Sequence, residues 1–248
     1  MASHWQELTS GGGAMPTWVG IPEGEGPFPG VVVAQHAGGA DEFLRAIVDR
    51  LAEQGYIAVA PTLFHRQSGV TQEYIEAIPK DAERLGKLMP LIQQLKDEEI
   101  VQDMKVAMDH LQSLGAGPIG VTGFCMGGRV AYLTAATFGN IAAAGVFYGG
   151  NIMGAMGGTT APFDITANIQ CPVAGYFGGD DVNPSPDDVV KISAELDKFG
   201  KVHDFHSYPG AGHAFQDFTN PPMYREGAAK ESWQELLTFF GKHLKSNA

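Results

Sequence analysis

Positive charge is scarce in this chain: 16 Lys and Arg stand against 28 Asp and Glu, a formal net charge of -12 at pH 7. A phosphate backbone is bound by clustered Lys and Arg, and neither a basic stripe nor a basic amphipathic helix occurs, so no nucleic-acid partner is expected. Long apolar runs are missing too. None approaches the length of a membrane span, and the first residues, MASHWQELTSGGG, have neither the basic leader nor the apolar core of a signal peptide. A soluble, cytoplasmic protein without a membrane partner is the expectation. Cysteine is rarer still: Cys125 and Cys171 are the two present, in unlike surroundings, and read as free thiols. His203 and His206, taken to share one face of a strand, have no Cys or carboxylate to complete a ligand set, so neither metal nor organic cofactor is expected.

What is plentiful is apolar sequence in short blocks punctuated by glycine. With 44% hydrophobic residues the chain can bury a substantial core, and residues 1–248 read as one domain. Residues 17–21 and 31–36 are expected as strands, the second containing the continuous run VVVAQH of a strand covered on both faces. Leu44, Ile47, Val48 and Leu51 recur at helical spacing, and Gly55 ends that helix before a third strand, YIAVAP. From Gln67 to Asp103 the pattern is polar and helical with breaks at Pro79 and Pro90, longer than a tight crossover requires, so this stretch would cover or border a site. Val101, Met104, Met108 and Leu111 stripe a further helix ahead of the strand PIGVTGF. AAAGVFYGG and CPVAGYFGG then alternate with helices over 185–199 and 223–244. Such βα alternation implies a mainly parallel sheet with helices on both faces, whose ligands bind beyond the carboxyl ends of the strands.

The stretch Gly123-Phe124-Cys125-Met126-Gly127-Gly128 sets a rare cysteine between glycines directly after an apolar run. A thiol that fills a core needs no such flanks. A nucleophile elbow does, because the turn between strand and helix is tight, and it aims the N–H of the following residue, Met126, at a developing oxyanion. The alternative is a small buried thiol in a Gly-rich turn. Two later stretches, Gly178-Gly179-Asp180-Asp181 and Gly210-Ala211-Gly212-His213-Ala214-Phe215, put an acid and a histidine at successive strand ends, in the order nucleophile, acid, histidine. A thiol needs a base near neutral pH, and the base needs an acceptor to fix its tautomer. Asp180 and Asp181 are both candidates for that acceptor. His65-Arg66 would either contact substrate or tie down a loop, and Cys171, before Pro172 at a strand start, reads as structural. Phe64, Tyr148 and Phe215 adjoin motif positions and are taken as pocket walls, although aromatics are more often core.

The chain resembles the dienelactone hydrolase family, also called carboxymethylenebutenolidases, within the α/β-hydrolase superfamily. The likeness covers nearly the whole chain, through VVVAQHAGG, LAEQGYIAVAPTLFHR, GFCMGGR, FGGDD and GAGHAF in order. It implies an α/β-hydrolase fold with Cys125 as nucleophile, His213 as base, Asp181 as its orienting acid, and the N–H groups of Met126 and Ala37 as oxyanion hole. A small-molecule ester or lactone would be the substrate, cleaved through an acyl-thioester, in a monomer or small homo-oligomer. Two positions depart from the family. His36, counted among the substrate-contacting residues, stands where many members carry a glutamate that gates the resting thiol. Asp217 stands where dienelactone-cleaving members carry an arginine for the substrate carboxylate. A thioesterase or acyltransferase would use the same triad, and a non-catalytic thiol sensor on this scaffold would not need the complete relay.

Overall fold

The computed structural model describes residues 1–80 and 83–245. Its strands are β1 (Ala2–Ser10), β2 (Gly13–Ile21), β3 (Gly30–Ala34), β4 (Ile57–Pro61), β5 (Ile119–Phe124), β6 (Ala143–Phe147), β7 (Val173–Gly178) and β8 (His203–Tyr208). They join in one sheet in the order β1-β2-β4-β3-β5-β6-β7-β8. From β4 through β8 all neighbours run parallel, while β2 is antiparallel to β4 and β1 to β2. The mainly parallel sheet expected from the βα alternation is therefore present, with an antiparallel hairpin added at one edge. No strand was expected over Ala2–Ser10, because an edge strand that is mostly exposed carries no apolar run. Its hairpin turns through Gly11 and Gly12 at φ +58° and +79°, the left-handed pair that matches strand twist.

The helices are α1 (Glu42–Glu53), α2 (Gln72–Glu76), α3 (Arg84–Ile92), α4 (Asp97–Ser113), α5 (Met126–Thr137), α6 (Pro186–Lys198) and α7 (Glu226–Phe240). A π turn over Gly241–Lys245 prolongs α7 toward the end anticipated at 244. Asp81 and Ala82, inside the polar stretch 67–103, and 246–248, at the end of the domain read as 1–248, lie outside the described residues. Pro90 sits within α3 instead of ending it, three residues before the C-cap Gln93. Among the described residues no helix is long and apolar enough to cross a membrane.

The side-chain period of two along β3 divides the core into two layers. Val31 and Val33 pack with Leu44 and Ile47 of α1 and Leu236 and Phe240 of α7, whereas Val32 and Ala34 pack with Met104 and Met108 of α4 and Val130 of α5. Each fully buried aliphatic side chain of this kind contributes about 1.5–3 kcal/mol, which is why β3 reads as an unbroken apolar run. The same period corrects the expectation for His203 and His206: three positions apart on β8, they point to opposite faces. His203 Nε2 lies 2.8 Å from Ser193 Oγ on α6, and His206 stacks on Tyr176 with Nδ1 3.2 Å from Glu235 Oε1 on α7. Because β3 and β5 through β8 are parallel, their carboxyl ends share one edge of the sheet, where the loops after them meet.

Candidate active site

β5 ends at Phe124 and α5 begins at Met126, so Cys125 alone makes the turn between strand and helix. It does so at φ 56°, ψ -122°, a conformation that costs a residue with a β-carbon on the order of 1–3 kcal/mol and persists where its surroundings enforce it. The flanking glycines provide that enforcement. A Cβ on Gly123 would lie 2.1 Å from the Gly127 carbonyl oxygen, and one on Gly127 would lie 2.1 Å from the Ala34 carbonyl oxygen. The second approach sets the first turn of α5 against the end of β3, just before Gln35, His36 and Ala37. The amino end of α5, including the Met126 N–H, faces the Cys125 sulfur.

His213 follows β8 and Asp181 follows β7, and His213 Nδ1 is 2.9 Å from Asp181 Oδ2. The Asp181 side chain is 1% exposed and its Oδ1 also accepts the Asn183 N–H at 2.9 Å, whereas Asp180 is exposed. Of the two adjacent acids, Asp181 is therefore the one paired with the imidazole. Burial pushes the Cys125 thiol up, but the His213 imidazole beside it, then His36 and the Met126 N–H, bring it below its ordinary value. Burial pushes His213 down, and the charges of Cys125 and Asp181 with their hydrogen bonds raise it to about 10. Both shifts act in the direction of a proton held by the imidazole and away from the sulfur. Tyr148 packs edge-on against His213 at 5.2 Å. It is itself at φ 35°, and Ala214, next to His213, is at φ 57°, so three of the four non-glycine residues with positive φ among those described adjoin this cluster.

His36 also comes to the site, with a partner that the sequence did not single out: its Nε2 is 2.8 Å from Asp41 Oδ1. Asp41 is also the N-cap of α1, accepting the Leu44 N–H at 3.2 Å, so one carboxylate serves both the helix end and the imidazole. Burial lowers the His36 pKa, but Asp41, Asp217 and Cys125 outweigh it and raise the value. Asp217 is spoken for, its Oδ1 accepting the N–H and hydroxyl of Thr219 at 2.9 and 2.6 Å. Lys80, from the stretch expected to border a site, donates to Thr219 Oγ1 at 2.6 Å and stands 3.8 Å from Asp41 Oδ2. Ala37 is buried at the start of the turn closed by the Gly39 N–H to His36 carbonyl bond.

Two expected pocket walls are elsewhere. Phe215 is fully buried between Tyr148 and Tyr208, behind the histidine. Phe64, also buried, lines a separate cavity with Gln35. His65 and Arg66 both bind Asp103 of α4 and so tie down a loop. Cys171 is buried in the core, its thiol pushed up to about 12 by that burial.

The profile of the dienelactone hydrolase family matches residues 15–244. The chain belongs to the dienelactone hydrolase family. Its curated relatives include a protein of Methylorubrum extorquens AM1, provisionally named a carboxymethylenebutenolidase, at 31% identity over 93% of this chain and 78% of the relative. One of Escherichia coli K12, named in the same way, is 31% identical over 98% of this chain and 88% of its own length. Among solved structures, one described provisionally as a dienelactone hydrolase, from Klebsiella pneumoniae, superposes with a TM-score of 0.85 at 28% identity, covering 98% of this chain and all of that one. Membership in the dienelactone hydrolase family makes this chain a carboxylic ester hydrolase on an α/β-hydrolase fold.

Proposed function

We propose that the chain works as a single α/β-hydrolase unit that cleaves small ester or lactone bonds through a thioester on Cys125, with His213 as base and Asp181 as its orienting acid. The observation that carries this reading is the strained cysteine at the head of α5 beside an imidazole whose far nitrogen is held by a buried carboxylate at 2.9 Å. The Cys125 thiolate attacks the carbonyl carbon, and the oxyanion is held by the N–H groups of Met126 and Ala37. As the tetrahedral intermediate collapses, the alkoxide leaves with the His213 proton. Neutral His213 then takes a proton from water, the resulting hydroxide attacks the thioester, and thiolate and carboxylic acid separate with His213 again protonated. The sum is ester plus water to acid plus alcohol.

His36 adds a second positive neighbour to the sulfur and sits beside the substrate, with Tyr148 as a wall. Asp217, where arginine holds a carboxylate in dienelactone-cleaving members, disfavours substrates with a free carboxylate, so neutral short-chain esters are the preferred class. The test is mass spectrometry after brief exposure to an activated neutral ester. Transient acylation at Cys125 that decays as alcohol and acid accumulate supports the reading; turnover that persists in Cys125→Ala sinks it.

A further inference from the structure

A cavity of about 390 Å³ lies outside the triad, between the β1–β2 hairpin, the end of β4 and the residues leading into α2. None of Cys125, Asp181 and His213 lines it. Its lining includes exposed Trp5 and Ala14, half-buried Val70, and Gln35, His65 and Gln72. The size falls in the range of single small-molecule sites, roughly 300–1,000 Å³. Two polar atoms belonging to this lining are unusual. Gln35 Nε2 and His65 Nδ1 are buried side-chain atoms with no hydrogen-bond partner among the described residues, on side chains that are 0% and 1% exposed. Buried polar groups are nearly always paired, and leaving one unpaired costs about 1–3 kcal/mol. The other end of each side chain is engaged: Gln35 Oε1 accepts the Leu63 N–H at 2.7 Å and His65 Nε2 contacts Asp103 at 3.1 Å.

The same lining holds both ends of the loop from His36 to Asp41. Gln35 immediately precedes His36. Gln72 accepts the Ala40 N–H through Oε1 at 2.9 Å and packs so closely that a Cβ on Gly39 would lie 2.5 Å from that oxygen. We propose that this cavity binds a neutral small molecule with an apolar body and a hydrogen-bond acceptor, the acceptor meeting Gln35 Nε2, and that occupancy is coupled through Gln35 and Gln72 to the loop bearing His36 and Ala37. Neutrality follows from the lining: Trp5, Pro16, Phe64 and Ile75 supply apolar surface, and the one carboxylate among the lining residues, that of Glu73, disfavours an anion. Such a molecule is either the far end of the ester substrate or a separate ligand of the same chemistry.

The probe for the test is N-butylacetamide, neutral and uncleaved, with tryptophan fluorescence reporting through Trp5. Saturable binding by wild type, weakened about tenfold or more in Ala14→Phe and in Val70→Phe, which place bulk in the lining without adding a fluorescent indole, is the expected result. Circular dichroism of both variants establishes that they are folded, and two independent fillings guard against one that is not. No saturation at millimolar probe, with the cavity holding water alone, overturns the proposal, as does equal affinity in wild type and both folded variants. Acetyl and octanoyl esters then separate the sources. A KM raised in the variants for the octanoyl ester alone assigns the cavity to the substrate's own chain, whereas a probe that changes kcat for the acetyl ester without changing KM assigns it to a separate ligand. Binding with neither effect removes the coupling. Because binding is read without turnover, this result stands or falls independently of Cys125 as nucleophile.

Discussion

Of the histidine–aspartate pairs among the described residues, two of similar length stand in different surroundings. His213 Nδ1 is 2.9 Å from Asp181 and His65 Nε2 is 3.1 Å from Asp103, and both carboxylates are 1% exposed. Asp103 is also met by the Arg66 guanidinium and by the Ser10 hydroxyl, at 2.6 Å, so its charge is neutralised on the spot and joins β1, the 62–67 loop and α4. No lysine or arginine among the described residues pairs with Asp181. Its charge is felt by an imidazole that stands against a thiol on a strained turn. A histidine–aspartate pair is therefore not a catalytic signature by itself; what the remaining imidazole nitrogen meets, and whether a cation has already cancelled the carboxylate, decide between relay and rivet.

The comparison breaks most visibly at the nucleophile. Cys125→Ala is expected to lower ester turnover by roughly 10³-fold or more while Cys171→Ala retains most activity, measured as kcat/KM on a neutral ester. Equal losses would mean that the elbow has no special role. Next in size, Asp181→Asn should cost about 10²-fold or more in kcat with little change in Tm, and Asp180→Asn should leave both near wild type, because only the paired carboxylate holds the His213 tautomer and stabilises imidazolium.

The structural pair should respond in the opposite sense. Removing the Asp103 carboxylate leaves Arg66 without its buried partner, so Asp103→Ala is expected to cost about 3–5 kcal/mol in denaturant unfolding while the folded fraction keeps its kcat. Burial raises the Asp103 pKa, but its bonds from His65, Arg66 and Ser10 outweigh that and hold it below the ordinary carboxylate value. A depressed folded pKa contributes stability above the unfolded value of about 3.9, and that contribution is lost as pH falls through the folded pKa. The gap between wild type and variant should accordingly narrow below about pH 4. A gap that persists undiminished in acid would assign the loss to packing.

Smaller effects sharpen the catalytic side. Iodoacetamide alkylation of Cys125 is expected to titrate below the free-thiol value of about 8.5, since the pKa lowered by His213 and His36 leaves thiolate present from that lowered value upward. Cys171, buried and pushed up to about 12, should stay unlabelled over the same range. The least shift belongs to His36→Gln, which removes one of two cationic neighbours and should raise the alkylation midpoint by less than His213→Gln does. Unchanged profiles in His36→Gln would confine His36 to holding Asp41 and the loop.

Much of the site was legible because the elbow and the strand-end motifs obey local rules. Gly123 and Gly127 are demanded because a Cβ on either would lie 2.1 Å from a backbone carbonyl oxygen, and such close approach leaves a mark in sequence as glycine. The buried strands declared themselves as apolar runs. What stayed hidden depended on partners far along the chain. Asp41 drew no attention, Phe215 was taken as a pocket wall although Tyr148 and Tyr208 close around it, and β1, whose Trp5 meets Trp18 edge-on at 5.3 Å, was not expected as a strand. His203 and His206 were misplaced because three positions along a strand reverse the face.

By itself the order of residues determined the alternation of strands and helices, the turn on which Cys125 stands and the sequence of acid and histidine after it, since each follows from periodicity or from backbone sterics within a few positions. Tertiary structure alone buried Asp181 against His213, gave His36 its carboxylate, set His65 to clamping Asp103 and formed the cavity beside Gln35. Those outcomes turn on burial and on the pairing of charges from distant segments, and both exist only once the sheet has brought the loops at its carboxyl edge together.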